Sequence, residues 1–225
     1  MKLIARMIAF LSFLVMIQYA HAAGNSIYID QIGDGSNITL TQTGSGNGIG
    51  STSSRSSFNG NNNTVLVSQI GNQNNQIIKV TGDGVTLNST ITGNSNQVDI
   101  DCSMSCTASS ITSTVTGSSN LVSITNDGLN NTALTIDSDN NTVTLTNNST
   151  AVAGVNNVIN ISGGNGNQLI LDQTGPAGAV GHKVDLAVTG ALNNVQIGQG
   201  GSVDSVVNST ITGSSNTLII KSNHN

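Results

Sequence analysis

The chain has 225 residues, with 26 Gly, 32 Asn and no Glu, only 8% charged and 2% aromatic side chains, and a formal net charge of −5. Scarce Lys, Arg and His and absent Glu remove the groups on which most catalysis and most soluble helices draw, and the acidic balance excludes a basic nucleic-acid footprint. Hydrophobic residues at 36% are too many for a disordered polar chain, which leaves a strand-rich repeat protein.

The first segment is an address rather than part of the fold. Lys2 and Arg6 form a positive region, residues 7–17 an apolar run, and Ala20-His21-Ala22 a small-x-small cleavage site. An apolar run of about 11 residues falls short of the roughly 20 that span a bilayer, so residues 1–22 are expected to be a secretory signal peptide rather than an anchor. A mature chain starting at Ala23 keeps 4 Lys or Arg against 11 Asp, a net charge of −7. Export to the cell surface without membrane insertion is the expectation.

From Asn25 onward the chain repeats. The string NSTITG occurs twice, ending at Gly93 and at Gly213. Alignment on that glycine gives four columns: a polar residue, then positions +6, +11 and +17. Eight coils follow, starting at Asn25, Asn63, Val85, Ser109, Asn130, Asn156, His182 and Ser205. The +11 column reads Ser36, Asn74, Asn96, Asn120, Asn141, Asn167, Asn193, Asn216. Gln31 and Gln69 hold +6, and Gln42, Gln173 and Gln199 hold +17. Residues 48–62, rich in Ser, Gly and Asn, are expected to be a flexible insert in a single domain spanning 23–225. Each coil offers two short strands around a Gly/Asn/Ser turn such as Gly117-Ser118-Ser119.

Side chains alternate faces along a strand, which tests the register. In the second strand of each coil, fifteen of the sixteen residues at +13 and +15 are apolar, from Ile38 and Leu40 to Leu218 and Ile220. Only Ile77, Leu121, Ile170 and Ile219 are apolar on the opposite face, as a half-buried strand requires. Coil six breaks phase, because Ile159 and Ile161 fall on the outer face; a bulge or register shift is expected there. A lone coil cannot bury its apolar face, so the coils must stack. The fold expected is an all-β parallel solenoid of about eight two-strand coils. Ladders of inward amides would hold its register through Asn25, Asn63 and the Asn and Gln residues of the columns above.

This repeat resembles that of the curlins, the subunits of bacterial curli fibres, whose unit is a strand–turn–strand with the pattern S-x5-Q-x4-N-x5-Q. Residues 25–42 (NSIYIDQIGDGSNITLTQ) and 63–80 (NTVLVSQIGNQNNQIIKV) are the nearest copies. The resemblance implies a secreted structural subunit of an extracellular amyloid fibre serving adhesion and biofilm matrix. Its partners would be copies of itself or related subunits, delivered by outer-membrane export machinery. The alternative is a monomeric solenoid adhesin or a phage-tail-like appendage. Asn223-His224-Asn225, the residues after the last coil, argue against a cap.

No catalytic set emerges, and no cofactor or metal is implied. His182 sits in a corner column otherwise mostly Asn or Ser, and Asp185 lies on the opposite strand face. Cys102 and Cys106 are expected either to bridge one turn or to stay as free thiols; without His or further Cys ligands they make no zinc site. Asp99 and Asp101, or Asp137 and Asp139, lack the Gly and Glu of a calcium loop. Together with Asp30 and Asp172, several of these acids read as solvation or as charges that slow premature stacking.

Overall fold

A computed structural model describes residues 24–102, 110–126, 130–148, 155–174 and 182–224. The expected signal peptide and Cys106 lie outside the described residues. The strands are β1 (Ser26–Ile27), β2 (Ile29–Ile32), β3 (Asn37–Thr43), β4 (Gly48–Ile49), β5 (Ser56–Asn59), β6 (Thr64–Ile70) and β7 (Asn75–Thr81). They continue with β8 (Thr86–Thr92), β9 (Gln97–Cys102), β10 (Ser110–Thr116), β11 (Leu121–Asn126), β12 (Asn130–Asp137) and β13 (Thr142–Asn148). The series closes with β14 (Val155–Ser162), β15 (Gln168–Thr174), β16 (Lys183–Thr189), β17 (Asn194–Gly201), β18 (Val206–Thr212) and β19 (Thr217–His224).

Successive strands alternate between two sheets. Sheet I runs β1-β4-β7-β9-β11-β13-β15-β17-β19, with β2 and β5 completing its first two rungs. Sheet II runs β3-β6-β8-β10-β12-β14-β16-β18. Strand pairing is parallel along both sheets, and the apolar residues of the two inner faces merge into one core. The chain is therefore a parallel β-solenoid. Inward Val, Ile and Leu such as Val67, Ile78, Ile100 and Ile136 are fully buried, and the alternating pattern of burial along β8 and β10 is what the sequence alternation requires.

The insert expected at 48–62 is a correction. Rather than a flexible loop, this segment supplies β4 and β5, which pair with β1 and β2 on one side and β7 on the other. Phe58 from β5 fills the core between Gln31 and Val80. Only the excursion 50–55 leaves the rung, closed by Ser51 N–H donating to the Ser54 carbonyl at 2.7 Å.

The first coil is also re-phased. β3 stacks on β6, so Ser36 belongs above Asn63 and Gln42 above Gln69, while Asn25 belongs above Asn47. With that change the single 38-residue step disappears, and the first corner-to-corner spacings become 22 and 27 residues.

The break in coil six resides in a turn, not in a bulged strand. β14 pairs evenly with its neighbours, placing Ile159 on Leu134 and Ile161 on Ile136, both inside the core. One extra residue, Gly163, lengthens the turn before Asn167, so counting back from that turn displaces the whole strand by one face. Asn157 is turned inward as a result.

Candidate functional site: an asparagine ladder between two open ends

Each passage from sheet II to sheet I is made by a tight turn of one design. Its first residue is usually Gly at φ between 107 and 128°, as at Gly44, Gly71, Gly93, Gly117, Gly190 and Gly213. A Cβ on Gly71 or Gly93 would run into the carbonyl oxygen of the equivalent glycine one rung on, so the close approach of stacked turns demands glycine. The third turn residue is left-handed whatever its type: Gln73, Ser95, Ser119, Asn140, Leu192 and Ser215 all lie between 56 and 61°. An Asn follows every time.

That Asn builds the main ladder. From Asn25 through Asn47, Asn74, Asn96, Asn120, Asn141, Asn167 and Asn193 to Asn216, each backbone N–H donates to the Oδ1 of the Asn one rung earlier, at 2.9–3.1 Å. From Asn74 on, the side-chain Nδ2 donates to the same oxygen at 3.0–3.2 Å. Where the geometry allows, Nδ2 also caps a turn carbonyl of the next rung, as Asn74 does for Gly93 and Asn96 for Gly117. Most of these side chains are fully buried, so the bonds satisfy groups that water cannot reach. Asn47, inside the glycine-rich stretch, is the member that pattern reading misses; its signal is the Gly44-Ser45-Gly46 turn directly before it.

The other predicted ladder members are placed less uniformly. Gln42 Nε2 donates to Gln69 Oε1 at 2.7 Å, and Gln173 Nε2 to Gln199 Oε1 at 2.6 Å, making two short ladders on different sheets. Gln31 is exposed on the first rung, and below it the column continues as Phe58. Asn63 follows Ser36 at the second corner, where its N–H donates to Ser36 Oγ at 3.2 Å, its Oδ1 accepts from Val85 N–H at 2.9 Å, and its Nδ2 is buried without a partner among the described residues. Near the far end of that corner stands His182, whose Nδ1 lies 2.8 Å from the Oγ of Ser205, the corner residue of the next rung. Burial holds the imidazole below its ordinary range, against the opposing pull of Asp204 and of a bond to the Gly201 backbone. Asp185 stands exposed on the outer face of sheet II and is no partner for it.

Charges lie outside. Asp30 pairs with Arg55 at 3.2 Å, with both side chains about half exposed, a contact worth little. Asp99 is shifted upward by desolvation and by Asp101, partly offset by Lys79. Among the described residues no group of three His, Cys, Asp or Glu could hold a metal ion, and no helix is long and apolar enough to cross a membrane.

Among the described residues nothing covers the two ends. β1, β2 and β3 are the outermost strands at one end, β18 and β19 at the other. Core residues are only partly covered there: Ile29, Ile38 and Leu40 at the first end, Leu218 and Ile220 at the last. Comparison with protein-family models, with curated proteins and with solved structures returned no match.

Proposed function

We propose that this chain is a secreted structural subunit that stacks end to end into an extracellular fibre, of the kind its curlin-like repeat implies. The observation that carries this reading is the pair of open terminal rungs. Among the described residues each presents strand N–H and C=O groups with no strand beyond them, beside half-covered Ile and Leu, which is a template for another strand of the same design. The columns are compatible across such a joint. Leu218 and Ile220 would fall over Ile27 and Ile29 of the next copy, and Ile211 over Gln42, a pairing the chain already makes between Ile91 and Gln69. Surface adhesion and matrix formation follow from the fibre, with export through the cell envelope preceding assembly.

The test is incubation of the purified chain beginning at Ala23, followed by thioflavin fluorescence, electron microscopy and fibre diffraction. Fibres with a meridional spacing of about 4.8 Å are expected. A chain that stays a soluble monomer for days, seeded or unseeded, overturns the fibre and leaves the solenoid as a monomeric adhesin.

A further inference from the structure

The outer faces of the two sheets differ in a way that neither stacking nor the core explains. On sheet II, the column from Thr41 to Thr210 and its neighbour from Thr43 to Thr212 contain ten threonines in sixteen positions and one charge, Asp137. On sheet I, the column from Lys79 to Lys221, at the same distance from its corner as the Thr41 column, contains two threonines in seven positions and four charges. Both faces belong to the same strands-and-turns repeat, so β-propensity alone would enrich both equally.

The threonines form a two-dimensional lattice. Strand pairing has no offset, so Thr90 lies on Thr114 and Thr92 on Thr116, and the next threonine along each strand is two residues away. The repeats are therefore about 4.8 Å across rungs and about 6.7 Å along the strand, each within about a tenth of a lattice repeat on a prism face of hexagonal ice. Ten of the sixteen points offer one methyl and one hydroxyl, and the largest unbroken block is Thr90, Thr92, Thr114, Thr116 and Thr135. The β-branched side chain is stiff, so the array is ordered before anything binds and little entropy is lost on binding. Thr90 and Thr114 are half-buried by their neighbours, which fixes them further.

We propose that the outer face of sheet II binds ice. The chemistry of the face selects this occupant over others of comparable regularity. With one charge in two columns it offers nothing to an anionic polymer or mineral surface. With no aromatic side chain it lacks the stacking platform that a neutral polysaccharide chain would use. A rigid lattice of hydroxyls and methyls does match ordered water, whose oxygens it can both bond and cage. This inference is independent of fibre formation, since it concerns a side of the rod rather than its ends.

The experiment follows grain growth in polycrystalline ice and thermal hysteresis with the soluble chain, alongside two single-charge variants. Thr92→Lys places a charge in the lattice at an exposed position whose rung neighbours are Ile70 and Thr116, and Thr144→Lys places one at an exposed position of sheet I. Circular dichroism confirms that both variants keep the strand signal. The expected result is inhibition by the parent chain, retention in Thr144→Lys, and at least about tenfold loss of potency in Thr92→Lys, as one unpaired charge against the lattice requires. No inhibition by the parent chain overturns the proposal, as does equal loss in both variants. Binding to cellulose or to a second copy through the Thr92 face, without effect on ice, overturns it as well.

Discussion

An asparagine at a solenoid corner does what neither its acid nor its longer homologue can do. It carries two donors and an acceptor on a short stem, so it can accept from the rung after it while donating to the rung before it. Asp in the same column would stack like charges, and the scarcity of charge in this chain is the compositional trace of that constraint. Asn120→Ala removes the oxygen that serves both the N–H and the Nδ2 of Asn141, and the amide that serves Asn96 and Ser138. We expect a loss of about 2–4 kcal/mol there, against less than about 1.5 kcal/mol for Asn216→Ala at the exposed end of the ladder. Denaturant midpoints of the two variants measure this; equal losses would mean that the ladder is decoration. Asn157 makes the converse case. Both its amide atoms are buried without partners in a core column whose next member is Val184. Asn157→Val should raise stability by about 1–3 kcal/mol in the same assay, because it removes a desolvation penalty that nothing offsets.

At the level of strands and turns, alternation proved legible and phase did not. The period-two pattern set which side chains face inward in almost every strand. It could not say to which sheet a strand belongs, because both strands of a coil follow an Asn-like corner with the same alternation. Asn25 and Asn63 matched each other as coil starts for this reason, although one sits at each corner. The inserted Gly163 was hidden for a related cause: a residue added in a turn looks, in sequence, the same as a residue bulged in a strand. His182 sets a pH dependence on the second corner. Its folded imidazole titrates below the ordinary value, so near neutral pH neither folded nor unfolded chain carries the charge. As pH falls below about 6.5 the unfolded chain binds a proton that the folded chain refuses, and stability drops. Denaturation midpoints should therefore fall between about pH 7.5 and pH 5, and His182→Asn should flatten the slope. Asp99 has the opposite sign, since its penalty is relieved as pH falls through its raised folded value, but it acts in the lower, carboxylate range.

Viewed whole, the molecule is a short rod of about 40 Å, nine rungs of sheet I at about 4.8 Å each. Its stability is distributed: each rung holds mainly its neighbours, so damage at a corner should stay local while damage at an end shortens the rod. The sides and the ends have been given different chemistry. Sheet I shows acids and lysines to solvent, sheet II shows threonine, and among the described residues the ends show half-covered core and strand edges. Composition foretold the low charge and the repeat, yet only the pairing of strands separates the two sides, because Thr is frequent on both when the chain is read in line.

The ladder also gives the rod a direction. All the corner amides point the same way, each later rung donating to the one before it. Aligned hydrogen bonds of this kind polarise one another, and they leave unlike remainders: at Asn216 an amide oxygen that accepts nothing among the described residues, and at Asn25 an amide that already accepts from Asn47. Two copies brought together by the same end would set acceptor against acceptor or donor against donor. Growth of any assembly is thereby vectorial, like-with-unlike, with a lead end and a trailing end that add subunits at different rates.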